Sequence, residues 1–317
     1  MLVTGAGGMI GGTLCRELSH RYYRVRAAVR RAGTDLRSND IEIACVGDMG
    51  GACDWRAALQ GVSCVFHCAA RAHVLRESEP DPLQAYRRVN VEGTRRLAEA
   101  AAESGVRRMV FVSSIGVLGT ATKGEEIFSE GSPTRPEEEY ARTKLEAEHA
   151  LWEISRRTGL EIVVVRPPLV YGRGAKGNFA RLVRLVRSGL PIPFGAVMNR
   201  RSLVGVDNLA DLLAICGEHP RAAGGTFLVS DGEDLSTPEL IRRIAAVMRR
   251  STRLVPVPPA LLRWGGRVFG RVAEVERLLG SLRVDLRHTC QTLGWRPTVG
   301  VNEGLARALT EAEVPER

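Results

Sequence analysis

Lysine is almost missing from this chain. Of 317 residues only Lys123, Lys144 and Lys176 are lysine, so the net charge of +9 is carried almost wholly by arginine. The arginines are spread through every segment and no DNA- or RNA-binding signature accompanies them, so no nucleic-acid partner is expected. No run of roughly eighteen apolar residues occurs, which excludes a membrane-spanning helix. The amino terminus passes straight into a strand and glycine loop with no basic-then-apolar leader, so a cytoplasmic protein is expected. The seven cysteines are odd in number and none forms a C-x-x-C pair, which argues against a disulfide framework. Cys64, His67 and Cys68 fall in an apolar run typical of a buried strand, and no metal site is expected there.

What remains is a composition able to fill a sizeable core, ordered as strand and helix in alternation. Leu2–Thr4, Val25–Val29, Ile41–Val46, Val62–Cys68, Arg108–Ser113 and Glu161–Arg166 are short apolar or β-branched runs. Helical patterns separate them: Gly12–Ser19, Asp81–Ser104 ending at Gly105, and Glu137–Thr158 ending at Gly159. Such alternation predicts a doubly wound parallel α/β sheet covered on both faces. From about Tyr171 glycines and prolines interrupt the pattern, which reads as a smaller mixed α/β lobe with a strand Thr226–Ser230 and a helix Thr237–Arg249. A basic, apolar helical stretch, Ala260–Leu282, follows. It reads as a lid helix packed on its own domain rather than one lying on a membrane. The expected division is a dinucleotide-binding domain over 1–170, completed by part of 200–230, and a mainly substrate-binding lobe over 171–317.

Gly5, Gly8 and Gly11 stand between the first strand and the first helix. Glycine there lets the backbone turn tightly and approach a pyrophosphate, while the helix N-terminus offers N–H groups and positive potential. Strand, loop, helix and second strand all follow at the right distances, so the loop is read as a Rossmann dinucleotide site. An NAD site usually carries an acid at the end of the second strand. Here the strand ends Val29-Arg30-Arg31, and an arginine there suits a 2′-phosphate, which favours NADP over NAD. Asp48, after the third strand, is placed to reach the adenine amine.

Tyr140 and Lys144, at i and i+4 near the start of a helix, share one face. Tyrosine ionises near about 10, too high for a base at neutral pH. A neighbouring ammonium favours the phenolate and makes Tyr140 a usable acid and base between alcohol and ketone. Ser114, 26 residues upstream at the C-terminal end of its strand, can hydrogen-bond the same substrate oxygen.

With these motifs the chain resembles the extended short-chain dehydrogenase/reductase family, and within it the bacterial nucleotide-sugar 4-epimerases and 4-ketoreductases. The resemblance runs through Thr4–Gly11, Gly47-Asp48, His67–Ala70, Asn90–Thr94, Ser113-Ser114, Tyr140/Lys144, Arg166–Gly172 and Leu293–Trp295. It implies a cofactor shell of Gly5, Gly8, Met9, Ile10, Gly11, Arg30, Arg31, Asp48, Met49, Ala69, Ala70, Lys144 and Pro167. It also implies that Ser114 rather than Ser113 is catalytic, that Lys144 binds the nicotinamide ribose and lowers the Tyr140 pKa, and that Asn90 is structural. Asn178, in Gly177-Asn178-Phe179, and Arg201 match residues that hold a substrate diphosphate, a task suited to a guanidinium fork. Arg71 and His73 stand equally as substrate contacts or loop residues, and Asp207 is expected as a helix cap. A homodimer through Asp81–Ser104 and Glu137–Thr158 is implied.

Two departures narrow the reaction. The Asp-Glu pair of 4,6-dehydratases is replaced by Ile115 and Gly116, so elimination of water is not expected. The R-P-G-D segment of many UDP-sugar epimerases is missing from Leu279–Asp285, where Arg283 is a weak substitute. The expectation is therefore redox chemistry at C4 of a UDP-linked hexose, N-acetylated or 6-deoxy, for a surface polysaccharide. The 4-ketoreductase is slightly favoured over the 4-epimerase, because no acid holds NAD. A silent NADP sensor on the same fold would lack Tyr140 or Lys144, and both are present.

Overall fold

The computed structural model describes residues 1–31, 40–51, 53–72, 79 and 81–309. Its strands are β1 (Leu2–Thr4), β2 (Val25–Val29), β3 (Ile41–Cys45), β4 (Cys64–His67), β5 (Arg108–Val112), β6 (Glu161–Arg166), β7 (Leu169–Tyr171), β8 (Arg201–Gly205), β9 (Thr226–Leu228) and β10 (Asp234–Leu235). Its α-helices are α1 (Met9–His20), α2 (Arg56–Leu59), α3 (Pro82–Arg87), α4 (Gly93–Glu103), α5 (Glu139–Thr158), α6 (Asn178–Arg187), α7 (Val206–Glu218), α8 (Thr237–Val247), α9 (Pro259–Val268), α10 (Val272–Leu279), α11 (Arg287–Leu293) and α12 (Val301–Leu309).

Seven strands form one parallel sheet in the order β3-β2-β1-β4-β5-β6-β9, and β10-β8-β7 form a small mixed one. This is a Rossmann-like doubly wound fold. The central strands read as continuous apolar runs because helices cover both faces: β5 is buried at all five positions. On one face Leu14 and Leu18 of α1 pack with Leu209, Leu212 and Leu213 of α7. On the other Leu97 and Ala101 of α4 pack with Leu151 and Ile154 of α5. Each such leucine or isoleucine contributes about 1.5–3 kcal/mol by leaving water. The strand order reverses between β1 and β4, so the crevice at their C-terminal ends is where ligands of this architecture sit.

Four expectations are corrected. The pattern over Asp81–Ser104 is not one regular helix: Asp81 caps α3 by accepting from the Gln84 N–H at 3.0 Å, and Arg88–Glu92 widen into a π-helical turn before α4. The strand Thr226–Ser230, read by its local pattern with the small lobe, is β9 of the large sheet and falls in the 200–230 stretch expected to complete the large domain, because α7 carries the chain back over α1 and returns it beside β6. The stretch Ala260–Leu282 breaks at Gly270, whose φ of 65° turns the chain into a helical hairpin. There Gly266 of α9 lies so close to α10 that a Cβ would meet Val275 at 2.9 Å. Asp207 is not a cap: Gly205 takes that place without a side-chain bond, and Asp207 in the first turn pairs with Arg307 at 3.1 Å. The α5 ending is as expected, with Gly159 left-handed at φ 78°. No helix among the described residues is long and apolar enough to cross a membrane.

Candidate active site

The glycine loop closes on β4. A Cβ at Gly5 would stand 2.8 Å from the Ala69 backbone and one at Gly11 2.3 Å from the Gly5 carbonyl, so both positions exclude a side chain. Gly8 starts α1 with no side-chain cap, and the first turn, beginning Met9-Ile10, holds no acid. Its N–H groups and positive end are thus left to an anion, which fits the pyrophosphate of a dinucleotide. Ala69 and Ala70 continue from β4, and Pro167 follows β6, its carbonyl accepting from Ile115 N–H at 2.9 Å. Arg30 and Arg31 are exposed just past β2. Asp48 is exposed and its Oδ1 accepts from Gly50 N–H at 2.9 Å, while the Met49 carbonyl accepts from Arg96 at 2.7 Å.

Beneath the loop runs a buried polar chain. The Thr94 hydroxyl donates to the Asn90 carbonyl at 2.6 Å, so His67 Nε2–H must donate to Thr94 Oγ1 at 2.9 Å. Its Nδ1 then accepts from the Thr4 hydroxyl at 2.6 Å, and Thr4 Oγ1 accepts from Ala69 N–H. This fixes one neutral tautomer, and burial followed by the charge of Lys144 pulls the His67 pKa down to about 3. Because the folded value lies below the unfolded one, the unfolded chain binds the extra proton, and stability is lost as pH falls from about 6.5 toward 3. The unfolding free energy measured in urea between pH 7 and pH 5 should therefore fall less steeply in His67→Gln than in the parent. The expected difference is about 1.4 kcal/mol per pH unit below the unfolded value. Parallel curves would remove His67 from the acid response.

Asn90 ties the crevice wall to the helices. Its Oδ1 accepts from Arg71 N–H at 2.8 Å, and its Nδ2 donates to the Arg71 carbonyl and to Thr143 Oγ1, both at 3.1 Å. Arg71 lies with its guanidinium 5.6 Å from the Tyr86 ring centre, and Tyr86 meets Tyr140 edge-on at 6.4 Å. Tyr86 is a neighbour that the motifs did not announce. His73 lies outside the described residues.

Tyr140, Lys144 and Ser114 come together where β5 ends and α5 begins. Lys144 Nζ donates to the Val112 carbonyl at 2.7 Å and lies 4.4 Å from the Phe111 ring centre and 5.9 Å from that of Tyr140. Burial lowers the Lys144 pKa to about 8. The Tyr140 phenol is pushed up by burial and then by Tyr86, so desolvation outweighs the help that the ammonium was expected to bring. Ser114 is half-buried and its Oγ accepts from Gly116 N–H at 3.1 Å. The neighbouring Ser113 points the other way and donates to Glu148 of α5, itself forked onto Arg166. Ser113 is thus engaged inside the fold, whereas the Ser114 hydroxyl, the one the resemblance pointed to, holds only the Gly116 N–H among the described residues.

On the small-lobe side Asn178 opens α6 behind Gly177, and Phe179 is buried against Tyr171. Arg201, the first residue of β8, donates from Nη1 to the Arg277 and Gly280 carbonyls at 2.8 and 2.9 Å. Burial and then Arg277 pull its pKa down to about 10. Arg277 in turn pairs with Glu138, two residues before Tyr140. Arg283, the weak substitute, is engaged by Asp234 at 3.0 Å and Glu125 at 3.3 Å. Among the described residues no cluster of metal-ligating side chains occurs.

Residues 1–230 match the NAD dependent epimerase/dehydratase family. The chain belongs to this family. It is 42% identical to the UDP-glucose 4-epimerase of Vibrio cholerae over 96% of its own length and 92% of that protein's. To the UDP-glucose 4-epimerase of Mycolicibacterium smegmatis it is 31% identical over 97% and 96%. The solved structure of MoeE5 in complex with UDP-glucose and NAD superposes with a TM-score of 0.74 at 28% identity, over 97% of this chain and 96% of that one. The family match includes Ser114, Tyr140, Lys144, Asn178 and Arg201 and ends before α8, so the α9–α10 hairpin lies outside it.

Proposed function

We propose that this epimerase/dehydratase-family enzyme inverts C4 of a UDP-linked hexose with NAD. The observation that carries the reading is the meeting of Ser114, Tyr140 and Lys144 at the C-terminal end of β5, with only β4 between it and the strand that leads into an uncapped glycine loop. The dinucleotide, held by residues 5–11, 69–70 and Lys144, supplies a hydride acceptor and donor. Tyr140 moves the proton of the C4 oxygen, Ser114 holds that oxygen by a hydrogen bond, and Asn178 with Arg201 grips the diphosphate. The domain over 1–170, completed from 200–230, carries the cofactor, and 171–317 mainly the substrate. We take the working form as a homodimer, paired through α3, α4 and α5.

A 4-ketoreductase with exchanging NADPH, acting on an N-acetylated or 6-deoxy sugar, is the second reading. It is favoured by the exposed Arg30 where an acid would hold NAD, and by the raised Tyr140 pKa, which suits donation of a proton to a ketone. Incubating the purified enzyme with UDP-glucose and no added cofactor decides between them. Formation of the C4 epimer, with bound NAD released on denaturation, is expected. No epimer, together with NADPH oxidation only on a 4-keto sugar, would establish the reductase. If NADPH is used, Arg30→Ala with Arg31→Ala should weaken it far more than NADH, because only NADPH offers a 2′-phosphate. Equal losses would leave both arginines without a role in cofactor choice.

Arg201→Ala should raise KM for the UDP-sugar more than it lowers kcat, since a diphosphate is gripped alike in ground and transition states. Losing one such contact costs about 1.5–3 kcal/mol, and UDP alone should weaken by a similar factor in calorimetry. Unchanged UDP affinity would dismiss Arg201 as a diphosphate ligand.

A further inference from the structure

The α9–α10 hairpin is apolar on two sides. Its inner side packs through Leu262, Gly266 and Val275. On the other side Leu261, Trp264 and Val268, spaced three and four apart, form one helical stripe and are 57%, 65% and 59% exposed. Phe269 and Val272, on either side of the Gly270 turn, are 78% and 46% exposed. A surface helix is normally polar opposite its buried face, so a contiguous apolar tip of this kind marks a contact.

Charge says what covers it. Over Pro259–Leu279 the hairpin holds four arginines, Arg263, Arg267, Arg271 and Arg277, against two glutamates, Glu274 and Glu276, both on α10. Arg263 and Arg267 run along α9 beside the apolar stripe and Arg271 sits at the turn; Arg263 pairs with Glu276 at 2.9 Å and Arg271 stands 3.8 Å from Glu274. Arg267 makes no ion pair among the described residues. An apolar ridge bearing tryptophan and phenylalanine with an arginine flank is complementary to the interface of an anionic bilayer, where rings enter the headgroup boundary and guanidinium groups meet phosphate. We infer that the α9–α10 hairpin docks this enzyme on the surface of an anionic lipid membrane, lying on it and not crossing it. The hairpin is fastened to the site, since the carbonyls of Arg277 and Gly280 hold Arg201 and the Arg277 side chain holds Glu138. A docked bilayer therefore lies on the side from which α5 begins.

Co-sedimentation with vesicles tests this, using phosphatidylcholine alone and phosphatidylcholine with about a third phosphatidylglycerol. The full chain should sediment with the anionic vesicles and hardly with the neutral ones. An arginine near such a surface is worth about fivefold in partition, so Arg267→Glu should cost at least that. Trp264→Ser with Phe269→Ser should lower binding by at least tenfold while turnover of UDP-sugar in solution stays at the parent level, because both side chains are exposed and neither belongs to the cofactor or substrate site. Three outcomes would overturn the inference: no sedimentation with anionic vesicles, undiminished binding by the double variant, or a light-scattering dimer that the double variant abolishes. The last would assign the ridge to a second copy of this chain.

Discussion

Tyr140→Phe is expected to fold and to bind the dinucleotide as the parent does, and to lose roughly a hundredfold or more in kcat, the usual scale for removing a positioned general acid or base. The ring stays, so its edge contact with Tyr86 and its place beside Lys144 are kept. Only the hydroxyl proposed to exchange a proton with the C4 oxygen is gone. The loss should fall on kcat and kcat/KM together, because the proton moves only in the transition state. Steady-state assay of the forward and reverse reactions, with bound nucleotide quantified in the same preparation, is the measurement. A variant within a few fold of the parent would take Tyr140 out of the mechanism.

The largest effect on stability is expected from Glu148→Ala. Glu148 is 1% exposed in α5, and both its oxygens are taken by Arg166, 7% exposed, with a further bond from Ser113. Removing the carboxylate leaves a buried guanidinium without its counter-charge, which costs about 3–5 kcal/mol. Replacing both partners, as Glu148→Leu with Arg166→Met, removes the stranded charge together with the pair and should recover most of that loss. Urea unfolding of Glu148→Leu, Arg166→Met and the double variant closes the cycle. Single variants as stable as the parent would mean that the pair is solvated in solution. Because Ser113 precedes Ser114 and Arg166 precedes Pro167, Glu148→Ala should also lower turnover at the remaining folded population. The pair clamps α5 to the ends of the two strands that carry the site.

Much of this was legible in residues read in order. Gly5, Gly8 and Gly11 answer a local steric demand, visible as forbidden Cβ positions, and Tyr140 and Lys144 share a face because four residues make about one helical turn. Alternating apolar strands and helices are likewise a local pattern, and they led directly to the doubly wound sheet. Other features were hidden because they depend on partners far away in the chain. Arg166 and Glu148 look like ordinary strand and helix residues until β6 and α5 are packed together. The His67 tautomer depends on hydroxyls at positions 4 and 94. Arg283, a weak substitute by sequence, is held by Asp234 and Glu125, which lie 49 and 158 residues away in the chain.

The sequence by itself therefore determined the class of fold and the place of the glycine loop, and it singled out Ser114, Tyr140 and Lys144 as the candidate reaction centre, since each rests on spacing within one or two turns or strands. Tertiary structure alone decided that Ser113 is tied to Glu148 and Arg201 to the Arg277 and Gly280 carbonyls, and that one apolar helical stretch folds into a hairpin with its tip uncovered. Those outcomes are set by which surfaces bury one another, and burial between distant segments has no period in the chain from which it could be read.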